Sequence, residues 1–395
     1  MSLKHVILRS VESQQGPRMR GRGATRSGTI TPSSQIAVEF DNLTVRRAAE
    51  VAHKKGVEAV APVIPMKLIA PVAVKPAADP AAKGSTWGVK AVGADTSPFS
   101  GDGVIVAVLD TGIDATHPAF AGVTLVQKNF TGENDQDLHG HGTHCAGTIF
   151  GRTIGGTRIG IAPGVTTAVI GKVLGEGGGG SDVVLGAIEW ALQNGAHVIS
   201  MSLGIDFPGY VAELEQGGMP TELATSMALE GYRANVNLFE RLASLIEARG
   251  AFMQPCVVVA AAGNESRRDE NPDFEIGVSP PAVANGFVSV AAVGSDPQGL
   301  IVAPFSNVGA RLAAPGVDVL SAKLGGGLTA MSGTSMATPH VAGVAALWAQ
   351  KLRTASQFTG RLFMDRLLGS GTMTGLKTGF DPADVGAGIV RAPQE

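Results

Sequence analysis

Cysteine is nearly absent. Cys145 and Cys256 are the two in 395 residues, so a disulfide framework is excluded and two free buried thiols are the expected state. Charge is sparse as well. Asp, Glu, Lys and Arg make up 16% of the chain, against about 25% in ordinary soluble domains. With 31 basic and 34 acidic side chains the formal net charge is −3, whereas a dedicated nucleic-acid binder would be basic. No apolar run approaches the ~18 residues that a membrane helix needs. The opening residues 1–9 are too short an apolar stretch for a signal peptide. These absences predict a cytoplasmic protein with neither nucleic acid nor membrane as partner. A secreted protein already trimmed of its leader would have the same texture.

What is present is glycine, 54 residues, about twice average usage. Joined to low charge, this indicates a compact, loop-rich chain rather than a disordered one. At roughly 150 residues per domain the length suggests two or three domains, and such a chain needs no metal or disulfide staple.

The first 80 residues differ from the rest. Residues 3–8, 36–40 and 57–63 read as strands and 43–55 as a helix. Between the first two strands lies a stretch rich in Arg, Ser and Gly, with Arg18, Arg20, Arg22 and Arg26, whose lack of aromatics suits a solvated loop better than a nucleic-acid surface. Pro62, Pro65, Pro71, Pro76 and Pro80 then give the composition of an extended linker. The boundary is expected near 76–86, dividing a small α+β region, 1–80, from a larger one, 81–395.

In the larger region, apolar runs at 104–109, 168–174, 197–203, 257–262, 288–293 and 317–320 read as strands. Residues 181–194 read as a helix with Ser181 at its start and Gly195 at its end. Strand and helix in alternation predict an α/β fold, with a mostly parallel sheet between two helical layers. Ligands of such sheets bind beyond the strands' carboxyl ends. Asp110 and Asn264 sit at two of these ends, where a carboxylate can orient an imidazole and an amide can donate to an oxyanion. Either alone could equally be a loop cap.

Two further segments carry chemistry. In residues 139–148, His139, His141 and His144 have a spacing that zinc hydrolases use, but Thr143 holds the place where that motif needs Asp. In residues 333–340, Ser335 falls at the start of an apolar helix, with Pro339 in its first turn. There the Ser335 N–H and the helix dipole would face an anion forming beside the hydroxyl. The chain order Asp, His, Ser is one of those in which a nucleophilic triad occurs.

The blocks Asp110-Thr111-Gly112, His141-Gly142-Thr143-His144, Ser200-Met201-Ser202-Leu203-Gly204, Ala261-Ala262-Gly263-Asn264 and Gly333-Thr334-Ser335-Met336-Ala337 resemble the signatures of subtilisin-like serine proteases, in that family's order, from about Trp87 onward. The resemblance implies a three-layer sandwich and a serine endopeptidase. In it Ser335 would be the nucleophile, His141 the general base and Asp110 its orienting partner, with Asn264 in the oxyanion hole. It also implies that Gly177, Gly178, Gly179, Ser202, Leu203 and Gly204 flank a polypeptide substrate bound as an extended strand. Ala261, Ala262 and Gly263 would line the pocket for the residue before the cut bond.

By the same resemblance the N-terminal region takes the place of an inhibitory prodomain removed by self-cleavage, with the cut expected between about Ala70 and Lys83. Catalysis would require no cofactor. Structural calcium is a family trait, although the loop at residues 153–156 is poor in oxygen-bearing side chains. A monomer is expected. Cys145, Cys256, His144 and His340 read as packing residues. Residues 206–250 exceed what the simplest relatives need, and read either as a wall beside the cleft or as a surface helix. The rivals are a metal-dependent hydrolase built on the three histidines and a silent binding protein held shut by its own N-terminal region.

Overall fold

The computed structural model describes residues 2–12, 34–73, 83–251 and 253–395. The arginines at 18, 20, 22 and 26, and most of the expected boundary at 76–86, lie outside the described residues.

The chain opens with β1 (Leu3–Glu12) and β2 (Ser34–Leu43), continues through α1 (Val45–Ala52) and reaches β3 (Val57–Pro62). The strands form an antiparallel sheet in the order β2-β1-β3. Alternation sorts its side chains. Ile7 packs with Leu43 and Val51 beneath α1, while Val6, Leu8, Ile36, Ala59 and Ala61 join the core of the larger region. The period of two thus lets one sheet cover two layers.

The Pro-rich segment departs from its expectation as a linker. Pro65–Leu68 is a strand, β4, and Ile64, Met66 and Ile69 around it are buried. Composition suggested an exposed spacer, but the apolar residues between the prolines have a sheet to enter. Proline is tolerated at the first position of such a strand.

The central sheet is built from β5 (Ile105–Asp110), β6 (Thr124–Asn129), β7 (Thr167–Lys172), β9 (Val198–Met201), β11 (Val257–Ala261), β12 (Val288–Asp296), β13 (Gly299–Val302) and β14 (Leu312–Pro315). Its order is β13-β12-β11-β9-β5-β7-β6, with β14 also on β12. Every pairing is parallel except β12 with β13. This is the predicted α/β sandwich. Val106, Val108, Val257 and Val259 face one helical layer, which includes α2 (His141–Phe150) and α6 (Thr334–Thr354). Ala107, Leu109, Val258 and Ala260 face the other, with α3 (Ser181–Gln193), α4 (Phe207–Gln216) and α5 (Thr221–Gly250). Strands covered on both faces read as unbroken apolar runs, which made them legible. Of the run at 317–320, only the last two residues are strand, in Val319–Ala322, which pairs antiparallel with Leu328–Met331 outside this sheet.

The long segment before β11 is two helices. The 30 residues of α5 lie against the N-terminal sheet, where buried Asn235 donates to the Pro62 carbonyl at 2.8 Å. Phe239 of α5 meets Phe287 edge to face, with centroids 6.3 Å apart. Both rings are fully buried, so Phe239→Ala should cost about 3–5 kcal/mol, read as a lower midpoint in chemical denaturation.

Candidate active site

β5 ends at Asp110, whose Oδ1 accepts the Thr111 N–H at 2.8 Å and lies 2.7 Å from His141 Nδ1. Both side chains are buried. His141 is the first residue of α2, which crosses close above the turn after Asp110. Gly142 makes this approach feasible, since a Cβ there would strike the Gly112 carbonyl. A carboxylate on Nδ1 fixes the tautomer and leaves Nε2 as the reactive nitrogen. Burial alone would push the His141 imidazolium down, yet the Asp110 carboxylate, with Cys145 behind it, holds its pKa well above the usual imidazole value.

Asp137 was missed by sequence reasoning. Its Oδ1 accepts from Thr111 Oγ1 and the His139 and Gly140 N–H groups, at 2.8–3.0 Å. Its Oδ2 accepts from the Thr143 N–H and hydroxyl at 3.0 and 2.6 Å. One buried carboxylate thereby caps α2 and ties it to the strand end that carries Asp110. An Asp four residues before His141, ahead of a helix, was the available signal.

Ser335 is the second residue of α6. Pro339 lies in the second turn of that helix, not the first as expected, and its missing N–H frees the Ser335 carbonyl. That carbonyl accepts from Cys145 Sγ at 3.4 Å and Ser202 Oγ at 3.3 Å. Asn264 follows β11. Its Oδ1 accepts the Thr334 N–H and hydroxyl at 2.9 and 2.8 Å, which turns Nδ2 toward the cleft. The Gly263 N–H donates to Thr334 Oγ1 at 3.2 Å, and Gly263 adopts φ +113°. Ala261 and Ala262 are fully buried, Ala262 among Ala291, Val293 and Ala313.

A strand of the chain itself occupies this cleft. β4 runs antiparallel between β8 (Gly179–Gly180) and β10 (Leu203–Ile205). Met66 pairs with Gly179 and Ile205, Lys67 with Gly204, and Leu68 with Leu203. A Cβ on Gly178 would meet the Met66 carbonyl at 2.6 Å, so the glycine run allows the backbones to touch; Gly177 has open space around it. Beyond β4, the Ile69 N–H donates to the Ser202 carbonyl at 3.2 Å and the Val72 N–H to the Ser332 carbonyl at 2.7 Å. Ser335 Oγ donates to the Ile69 carbonyl oxygen at 2.6 Å, and Asn264 Nδ2 to the Ala70 carbonyl at 2.9 Å. His141 Nε2 is buried without a hydrogen-bond partner.

The three histidines do not converge. His144 Nε2 contacts the Val319 carbonyl at 2.9 Å, and burial, reinforced by the charge on His141, pushes its pKa down to about 3. His340 Nδ1 contacts the Met336 carbonyl, and burial lowers it to about 4. Among the described residues the set of three whose ligand atoms gather is Asp110, His141 and Cys145, which is the site already described. Burial raises the pKa of both thiols, Cys256 to about 12. A cavity of about 390 Å³ lies beside Leu68, Thr111, His139 and Leu174. A larger one of about 610 Å³, lined by Cys256, Phe287, Arg311 and Arg361, touches none of Asp110, His141, Asn264 and Ser335. No helix among the described residues is long and apolar enough to cross a membrane.

The subtilase family model matches residues 101–367, and the chain belongs to that family. It is 36% identical over 256 residues to the intracellular serine protease of Paenibacillus polymyxa, spanning 62% of this chain and 67% of that protein. It is 35% identical over 257 residues to subtilisin-like protease 6 of Trichophyton verrucosum (strain HKI 0517), spanning 63% of this chain and 52% of that one. The chain thus spans about half the length of the fungal relatives it matches. Fervidolysin of Fervidobacterium pennivorans, a keratinolytic enzyme related to subtilisin, shares the fold with a TM-score of 0.65 at 23% identity, over 99% of this chain and 60% of that structure.

Removing the Asp137 carboxylate would strand five donors in a dry site. Asp137→Ala should therefore lower stability by about 2–4 kcal/mol, measured by guanidinium unfolding, while leaving Asp110 in place.

Proposed function

We propose that the chain is a serine endopeptidase with Ser335 as nucleophile, His141 as general base, Asp110 orienting the imidazole and Asn264 in the oxyanion hole. The observation that carries this reading is the main chain held across the cleft, with the Ile69 carbonyl oxygen 2.6 Å from Ser335 Oγ. In the proposed reaction the hydroxyl proton moves to His141 Nε2 as Oγ bonds the carbonyl carbon. The oxyanion is held by Asn264 Nδ2 and the Ser335 N–H, one of the unsatisfied donors at the start of α6. Collapse expels the amine, which takes the proton from His141, and water then hydrolyses the acyl-enzyme by the reverse path. The imidazolium that forms on the way is favoured by Asp110. All groups in this scheme belong to the protein, and no cofactor enters it.

Residues 65–72 would then be the occupant that keeps the uncut chain latent. Two contacts support this. The Ser335 hydroxyl is spent on the Ile69 carbonyl instead of His141, and Asn264 donates to the following carbonyl, that of Ala70. Release of the hydroxyl toward Nε2, with Asn264 Nδ2 passing from the Ala70 to the Ile69 oxygen, would let Oγ attack the Ile69 carbonyl carbon, cutting Ile69–Ala70 at the edge of the segment where cleavage is expected. Substrate would add to β8 and β10 in the same way, as an extended strand.

The test is the intact mass of purified wild type and Ser335→Ala, each with and without a fluorophosphonate. Wild type should gain one adduct and lose residues 1–69, whereas Ser335→Ala stays whole and unlabelled. Equal lengths for both would reject self-cleavage. A wild type that takes no adduct would reject the nucleophile.

The base must be neutral to act, and its pKa is raised. Activity should therefore climb with pH through a midpoint above 6.5. A rate at saturating substrate that is flat from about pH 5 to 9 would exclude His141 from the role.

A further inference from the structure

We propose that Asp206 selects substrates with a basic residue two positions before the one whose carbonyl faces Ser335. This rests on the peptidase reading above and names a substrate class for it. In the cleft strand that position is Lys67, whose Nζ lies 3.0 Å from Asp206 Oδ1. The register is set by main chain on both sides. Lys67 pairs with Gly204, Ile69 N–H reaches the Ser202 carbonyl, and the Asp206 N–H donates to the Pro65 carbonyl at 2.9 Å. Any peptide adding to β10 in that register brings its corresponding side chain to the same carboxylate.

The surroundings leave room for the carboxylate and favour its charge. Asp206 stands immediately before α4, where the helix dipole favours an anion. A Cβ on the residue three further on, Gly209, would collide with the carboxylate, so glycine leaves the room it occupies. Among the described residues, Lys67 is the one side chain in hydrogen-bond contact with it. Asp206 also opens the segment 206–250, so the extra length begins at the cleft before it turns away as α4 and α5. The neighbouring positions read differently: Met66 and Ile69 are buried and apolar, and Lys67 is half-exposed. Selection at Lys67 is therefore electrostatic, while selection at its neighbours is by burial.

A partly exposed ion pair supports a modest preference. Three fluorogenic peptides, Met-Lys-Leu-Ile, Met-Gln-Leu-Ile and Met-Glu-Leu-Ile ahead of the reporter, would be compared on fluorophosphonate-titrated wild type, Asp206→Asn and Asp206→Lys. The readout is the ratio of kcat/KM between peptides within each variant, which is independent of how much enzyme folds. Wild type should favour Lys over Glu by about three- to tenfold, mainly through KM, with the ratio shrinking in molar salt. Asp206→Asn should bring the ratio near one, and Asp206→Lys should invert it.

A wild type indifferent to the three peptides would overturn the assignment, as would an Asp206→Asn that keeps the wild-type ratio. So would a substitution that alters retention of the N-terminal segment while leaving the ratio untouched, since the pair would then only pin that segment. If wild type cleaves none of the three and matches Ser335→Ala, the peptidase reading itself falls.

Discussion

Asp110 and His141 meet at 2.7 Å in a place that excludes water from both, and much of the molecule is arranged so that this contact can exist. A carboxylate in such a place is tolerated only with its hydrogen bonds made, and it acquires them from the Thr111 N–H and the imidazole. Bringing the imidazole there requires α2 to start almost on top of the turn that ends β5. Gly142 removes the obstructing Cβ, and Asp137 binds the two pieces by five hydrogen bonds. The raised pKa of His141 follows from this arrangement, because desolvation, the largest influence, opposes the charge and the Asp110 carboxylate together with Cys145 and their hydrogen bonds outweighs it.

The other half of the site depends on a broken helix bond. Pro339 deprives the Ser335 carbonyl of its usual partner, and Cys145 and Ser202 fill the vacancy from two different elements. Ser202 is placed at a crossing point. Its hydroxyl steadies the backbone of Ser335, while its carbonyl accepts the N–H of the strand in the cleft. Asn264 is similarly fixed, since the Thr334 N–H and hydroxyl leave its amide only one sensible orientation. Groups locked by their neighbours before anything binds need little reorganisation afterwards, which is the physical basis of preorganisation.

The N-terminal sheet and the cleft strand form one continuous device. β3 rests on α5, only Val63 and Ile64 separate it from the strand in the cleft, and by Val72 the chain has passed Ser332. Burial of Met66 and Ile69 anchors what would otherwise be a frayed segment. Strand addition on both sides supplies main-chain hydrogen bonds that do not depend on side-chain identity, so Asp206 contributes discrimination against a sequence-blind background.

Much of this was legible in residue order. The both-face burial of β5, β7, β9 and β11 made them unbroken apolar runs, and α3 announced itself by spacing, although Ser181, expected to cap it, is its first helical residue and its hydroxyl accepts the Ile64 N–H instead. The blocks around Asp110, His141, Asn264 and Ser335 pointed to one site because their chemistry is complementary, and the chain's membership of the subtilase family agrees with them. Local pattern did not reveal what depends on distant backbone. Pro65–Leu68 has the composition of a linker, and becomes a strand because β8 and β10, more than 100 residues away, leave a gap the width of one chain. Asp137 is an ordinary polar residue until the fold brings Thr111 to join the local donors of residues 139–143 around it. The pairing of Lys67 with Asp206 has no signature at all, because charge complementarity across 139 positions exists only once the register is set. Periodicity and side-chain chemistry are local properties and survive in the sequence; register, burial and the partner a charge finds are properties of the folded chain.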